Sequence, residues 1–173
     1  MNTKKIILES VFSTHQKIHL SIFGILFIAM TILSAMNLQN LRVLLLFLIG
    51  LSGSLIYVVV TFSKKGFLKK NNDLYYGIFY KNYLLKKRKI DLKENTAFAV
   101  LKFKKRQKYA FFTAANPDLS SEFNAFDIYF LNKKHTRKER VISLKNENIS
   151  KKVVIFLEEN TGLKFEIYSP DFS

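Results

Sequence analysis

A chain of 173 residues with 28 Lys and Arg against 13 Asp and Glu carries a formal net charge of +15, which points to anionic partners. It holds no cysteine, so disulfides and thiolate metal sites are excluded. Only Lys4, Lys5, Lys17, Arg42 and Glu9 carry charge before Ser63. An apolar N-terminal part is therefore followed by a basic remainder large enough for one domain of about 100 residues.

In chain order, residues 3–17 set Ile7, Leu8, Val11 and Phe12 at helical spacing, with Lys4, Lys5, Glu9, Ser13 and Gln16 on the other side. This predicts an interfacial amphipathic N-terminus over 1–17, helical and capped by Thr3. Residues 18–36, with His19 at the mouth, and 43–62 are apolar runs without Asp, Glu, Lys or Arg. Each is long enough to cross a hydrocarbon core of roughly 30 Å at about 1.5 Å per residue. They predict a two-helix transmembrane hairpin over 18–62. The first run is too long for the core of a cleaved signal peptide and lacks a small-x-small site. Lys4, Lys5 and Lys17 precede the hairpin and Lys64, Lys65, Lys69 and Lys70 follow it, whereas the turn 37–42 offers Arg42 alone. Positive residues stay inside, so both termini are expected to be cytoplasmic. Abundant Lys, Asn, Ile and Phe fit an AT-rich bacterial genome, giving a multi-pass protein of the bacterial inner (cytoplasmic) membrane. The small-xxx-small pairs Thr31/Ala35 and Gly50/Ser54 either close the hairpin on itself or serve a homo-oligomer or protein partner.

Residues 63–173 read as a basic cytoplasmic domain made mostly of strands. Runs 74–80 and 83–90 join across Lys81-Asn82. Runs 96–103 and 109–114 join across 104–108, and 123–131 and 140–144 across 132–139. Residues 115–122, with Asn116-Pro117-Asp118, form a loop. Ile149, Val153, Phe156 and Leu157 mark one amphipathic helix, started by Asn146 or Asn148 and stopped at Gly162. The alternating run 163–168 follows as a last strand. The expected class is an α+β membrane protein: a transmembrane hairpin, then an antiparallel β-barrel or meander capped by one C-terminal α-helix.

The strand Leu74-Tyr75-Tyr76-Gly77-Ile78-Phe79-Tyr80, the following Tyr83-Leu84-Leu85-Lys86-Lys87-Arg88-Lys89-Ile90-Asp91-Leu92 and the closing helix from Val153 to Leu163 resemble the bacterial pleckstrin-homology-like (PH-like) membrane proteins. The resemblance covers residues 66–168. It implies a curved barrel plugged at one end by the helix and a role in binding lipid headgroups or proteins. It carries over no catalytic residue.

The remaining candidates are basic. Lys86, Lys87, Arg88 and Lys89 form one cluster, and Lys104, Lys105, Arg106 and Lys108 a second. Lys133, Lys134, Arg137, Lys138 and Arg140 form a third. The last two are expected at hairpin turns, from which side chains project. With Lys64, Lys65, Lys69 and Lys70 they are the candidate site for anionic lipid headgroups or a protein partner, each base near an anionic leaflet contributing about 1 kcal/mol. Nucleic-acid stacking by Tyr75, Tyr76, Tyr109, Phe111 and Phe112 is set aside, because aromatics in strands are core residues first. His15, His19 and His135 stand apart without metal-ligand spacing, and Gly66 and Gly77 are single, so no phosphate loop exists. No catalytic residue, cofactor or metal is expected. The expected function is a membrane-anchored, non-enzymatic binding module docked on the inner leaflet. The alternative is an accessory subunit of a larger inner-membrane complex.

Overall fold

The computed structural model describes residues 3–36, 38, 40–108 and 120–171, apart from the side chains of 106–108, 120 and 121. They fall into two compact units, one of Ser10–Phe67 and Tyr76–Arg88, the other of Met1–Glu9, Leu68–Tyr75 and Lys89–Ser173.

In the first unit, Ser13 and Gln16 form a capping box that starts α1 (Thr14–Ala35): the Gln16 N–H donates to Ser13 Oγ, and the Ser13 N–H to Gln16 Oε1 at 2.9 Å. Asn40 caps α2 (Leu41–Thr61) by accepting the Arg42 N–H at 3.0 Å. The predicted apolar runs are thus helices of 22 and 21 residues, long and apolar enough to cross a membrane. They run antiparallel. Ser21 Oγ and Tyr57 Oη lie 3.1 Å apart, and a methyl added to Gly24 would meet the Tyr57 ring at 2.6 Å. Further along the pair, Gly53 faces Phe27 and Gly50 faces Thr31. Small residues are spent where the two backbones approach, so the hairpin packs against itself.

The strand β1 (Thr3–Ser10) replaces the helix predicted over the N-terminus. The apolar positions 7, 8, 11 and 12 straddle the break between strand and helix, so their helical spacing was coincidental. Thr3, Ile6 and Ile7 are β-branched and suit a strand, with Leu8 turned inward. A strand missed from the sequence, β2 (Ser63–Lys70), follows α2 directly; its lysine-rich ends hid a centre in which Phe67 and Leu68 are buried. Next come β3 (Asp73–Tyr80) and β4 (Tyr83–Ile90), as expected from their β-branched and aromatic runs. Two-residue turns join β2 to β3 and β3 to β4, with Asn71 (φ 54°) and Lys81 (φ 51°) left-handed at their first positions. The sheet order is β1-β2-β3-β4, leaving β1 and β4 at the edges.

The second sheet has the order β7-β6-β5-β8, from β5 (Ala97–Lys108), β6 (Ser120–Leu131), β7 (Lys138–Leu144) and the two-residue β8 (Lys164–Phe165). The β5–β6 ladder runs without slip from Ala97↔Leu131 to Lys108↔Ser120, whereas β6–β7 shifts register between Ile128 and Tyr129. Residues 104–108, expected as a turn, continue β5. Charged side chains on an exposed strand do not interrupt pairing, since the ladder is made by backbone. The strand expected over 109–114 and residues 115–119 of the expected loop lie outside the described residues, whereas 120–122 of that loop belong to β6, paired with 106–108 of β5. Of the final run, only Lys164–Phe165 pairs, parallel to β5 at Ala97 and Phe98.

The helix α3 (Glu147–Thr161) forms where expected. Asn146 Oδ1 accepts the N–H groups of Asn148 (2.8 Å) and Ile149 (3.3 Å), and Gly162 ends it in the left-handed region at φ 73°. It packs on β6, β7 and β8. Val153 and Leu157 are fully buried, as are Phe98, Ile128, Phe130 and Leu144 of the sheet. Among the described residues the strands make two four-stranded sheets, and closure into a barrel is not found. The register shift of β6–β7 leaves Val141 of β7 unpaired between Arg140 and Ile142.

Candidate functional site

The basic residues grouped by sequence are separated by their partners. On β2, Lys64 is exposed, while Lys65 and Lys70 are half-buried; Lys69 Nζ donates to the Asn72 carbonyl at 2.9 Å and braces its turn. On β4 every side chain from Tyr83 to Lys89 is exposed. Lys89 pairs with Asp73 at 2.8 Å; this contact holds the Asp73 carboxyl below its ordinary range and raises the Lys89 ammonium. Burial pushes the nearby Tyr76 hydroxyl up, opposed by Arg88.

The second cluster loses its place at a turn. Lys102 and Lys104 are exposed on β5, but Lys105 reaches Asp127 with Nζ 2.7 Å from Oδ2 and 2.9 Å from Oδ1. Asp127 is 1% exposed. Arg140 from the third cluster approaches the same carboxylate at 3.6 Å, and Ser143 donates to it. Burial alone would raise the Asp127 pKa; Lys105, Ser143 and Arg140 together outweigh it, so the group stays below its ordinary range. Lys105 and Arg140 are therefore neutralising residues of a buried acid rather than free surface bases. Arg106 and Lys108 stand opposite Glu122 and Ser120 in the ladder, and their side chains lie outside the described residues.

In the third cluster Lys133 and Lys134 are exposed on the β6–β7 turn. Arg137 pairs with Glu94, and Lys138 lies 4.6 Å above the Tyr168 ring. His135 was expected to stand alone and does not. It is 8% exposed and left-handed at φ 55°, with Nε2 2.8 Å from Glu166 Oε2 and its ring stacked on Tyr168. Nδ1 accepts the Ser169 N–H at 3.2 Å, so the other ring nitrogen carries the proton that faces Glu166. The imidazole thus holds the C-terminal tail to the β6–β7 turn. His15 and His19 touch each other at 3.0 Å through Nε2, one helical turn apart on α1. Among the described residues no three metal-ligating side chains converge.

The concave feature the sequence did not reveal is a groove of about 550 Å³ between β5–β6 and α3. Val100, Phe126, Val154, Ile155 and Phe165 make its walls, and Lys102 and Lys151 stand at the rim. Lys151 bonds Glu147 at 3.0 Å, and that contact, with Lys102 behind it, holds the Glu147 carboxyl below its ordinary range. The sequence signal was Val154 and Ile155, apolar residues beside the predicted stripe of α3 rather than on it; Ile155 is 55% exposed.

Comparison with protein-family models, with curated proteins and with solved structures finds no match for this chain.

Proposed function

We propose that the chain is a membrane-anchored, non-enzymatic binding module that lays a basic strand on an anionic leaflet. Support for the anchor is the surface of the hairpin. Leu33 is 70% and Ile56 63% exposed, and most of their apolar neighbours on α1 and α2 are likewise uncovered. A core helix of a soluble domain buries that surface; here it requires lipid or protein. The Ser63 carbonyl accepts the Val11 N–H (3.1 Å) and the Ser10 hydroxyl (3.4 Å), which ties the entry of α1 to the exit of α2. Lys64 and Lys65 follow within four residues of Thr61, so they lie within about 14 Å of the helix end.

The observation that carries the docking reading is β4. Tyr83, Leu84 and Leu85 are exposed on an edge strand and run directly into Lys86, Lys87 and Arg88. An apolar stretch joined to a basic one matches an interface, where the rings and aliphatic chains enter the headgroup layer and the bases meet lipid phosphates. The PH-like resemblance and the inner-leaflet orientation are compatible with this reading and belong to the proposal. Gly24, Gly50 and Gly53 face side chains of the other helix, which favours packing within the hairpin over a subunit interface at those positions.

The chain has no cysteine, so Leu85→Cys gives one labelling position for an environment-sensitive dye. In nanodiscs containing anionic lipid its emission should shift to the blue, and about 0.5 M salt should reverse the shift, because exposed charges act only over the screening length. Identical spectra in neutral and anionic discs would overturn leaflet docking.

A further inference from the structure

We propose that the outer edge of β5, from Val100 to Lys104, accepts an extended acidic segment of a partner protein as an added strand. Alternate side chains of that segment would fill the groove against α3. The inference rests on the reading of the chain as a binding module but does not need leaflet docking.

The edge is defined by where β8 stops. The Glu166 N–H donates to the Phe98 carbonyl at 2.9 Å, so Phe98 turns its backbone polar groups away from β6. The pleat repeats every second residue and the β5–β6 register is unbroken, so Val100, Lys102 and Lys104 turn theirs the same way. Beyond Phe98, no strand among the described residues pairs with that edge. An edge strand in this state is a template for another chain unless something covers it.

The same three residues share the side-chain face of Phe98, and Val100 and Lys102 line the groove. Ladder groups that no strand among the described residues meets and an apolar trough therefore run side by side, which is the arrangement that strand addition requires: backbone bonds for affinity and pockets for alternate side chains. Charge selects the occupant. Lys102 and Lys151 line the trough with Glu147 as the one acid among its lining residues, and Glu147 is already bonded to Lys151; Lys104 follows on the same exposed edge of β5. A lipid chain would use the trough but leave the ladder groups unmet; a basic segment would be repelled. An acidic strand with apolar residues at every second position satisfies both.

The test uses the full chain in neutral phosphatidylcholine nanodiscs and a fluorescent octapeptide of alternating Val and Glu. The expected result is saturable binding, with slowed hydrogen exchange at the Val100, Lys102 and Lys104 amides. A Val–Lys peptide, and a Val–Glu peptide N-methylated at alternate residues to remove its ladder donors, should each bind about tenfold or more weakly. Ile155→Glu and Lys102→Glu, both at exposed positions, should weaken the Val–Glu peptide to a similar degree while leaving the dye shift at position 85, read in anionic nanodiscs, unchanged. Equal binding of the Val–Lys or N-methylated peptide would overturn strand addition, as would indifference to both substitutions. Loss of the dye shift with peptide binding intact would remove leaflet docking and leave the groove standing.

Discussion

Asp127 shows how a single buried charge redistributes the basic residues around it. It sits in β6 between Phe126 and Ile128, and Lys105, Ser143 and Arg140 offset its burial. Lys105 bonds both carboxylate oxygens, whereas Arg140 is more distant and mostly exposed. Lys105→Met should therefore cost about 3 kcal/mol in urea unfolding, and Arg140→Met about 1 kcal/mol or less. Similar losses from the two would show that Lys105 is no more bound to Asp127 than a surface pair. The pH dependence follows in sign. With the folded pKa of Asp127 below its unfolded value of about 3.9, its contribution is complete above pH ~4 and is lost as pH falls toward the folded value. Asp127→Asn should be less stable than the parent at pH 7, and the gap should close below pH ~4. A gap that persists at pH 2 would mean the ion pair is not its cause. The number of bases is legible in the sequence; their partners are not. An acid inside an apolar strand, at a position opposite Leu101, was the one available sign that some of them were engaged.

Elements were legible where one period dominated. The stripe Ile149, Val153, Phe156, Leu157 and the stop at Gly162 correspond to α3, because cap, periodicity and left-handed exit all agree. Leu157 is fully buried, so Leu157→Ala should cost about 2–5 kcal/mol, while Ile155→Ala on the exposed side should cost about 1 kcal/mol or less. Equal costs would mean that α3 does not cap the sheet through the Leu157 face. Asn146→Ala should remove about 1 kcal/mol as the lost cap. Glu9 supports the same end: its carboxylate accepts the Lys145 and Asn146 N–H groups at 2.8 Å, across 136 and 137 residues of sequence. No local pattern announces such a contact, and for the same reason β1 is not legible as a strand. Its apolar spacing imitated a helix, and the sheet that recruits it is built from strands lying beyond the hairpin. The groove was equally illegible, since it arises where β8 ends two residues after it begins, and strand length is decided by tertiary pairing.

At the scale of the whole molecule, the order of elements constrains topology more tightly than charge counting alone. A strand of the first sheet precedes the hairpin and the other three follow it, so β1 and β2–β4 must lie on one side of any membrane that α1 and α2 cross. The bonds from Ser10 and Val11 to Ser63 require the same. The proposed side rests on charge: seven lysines (Lys4, Lys5, Lys17, Lys64, Lys65, Lys69 and Lys70) flank the open end of the hairpin, against Arg42 at its closed end. Single cysteines at Leu38, in the connecting turn, and at Lys133, on the exposed β6–β7 turn, separate the two statements. On intact cells an impermeant thiol reagent should label position 38 and spare position 133; after permeabilisation both should react. Labelling of 133 alone on intact cells would invert the orientation but preserve the hairpin. Labelling of both positions on intact cells would remove the crossing itself, leaving the apolar faces of α1 and α2 to be covered by protein rather than lipid.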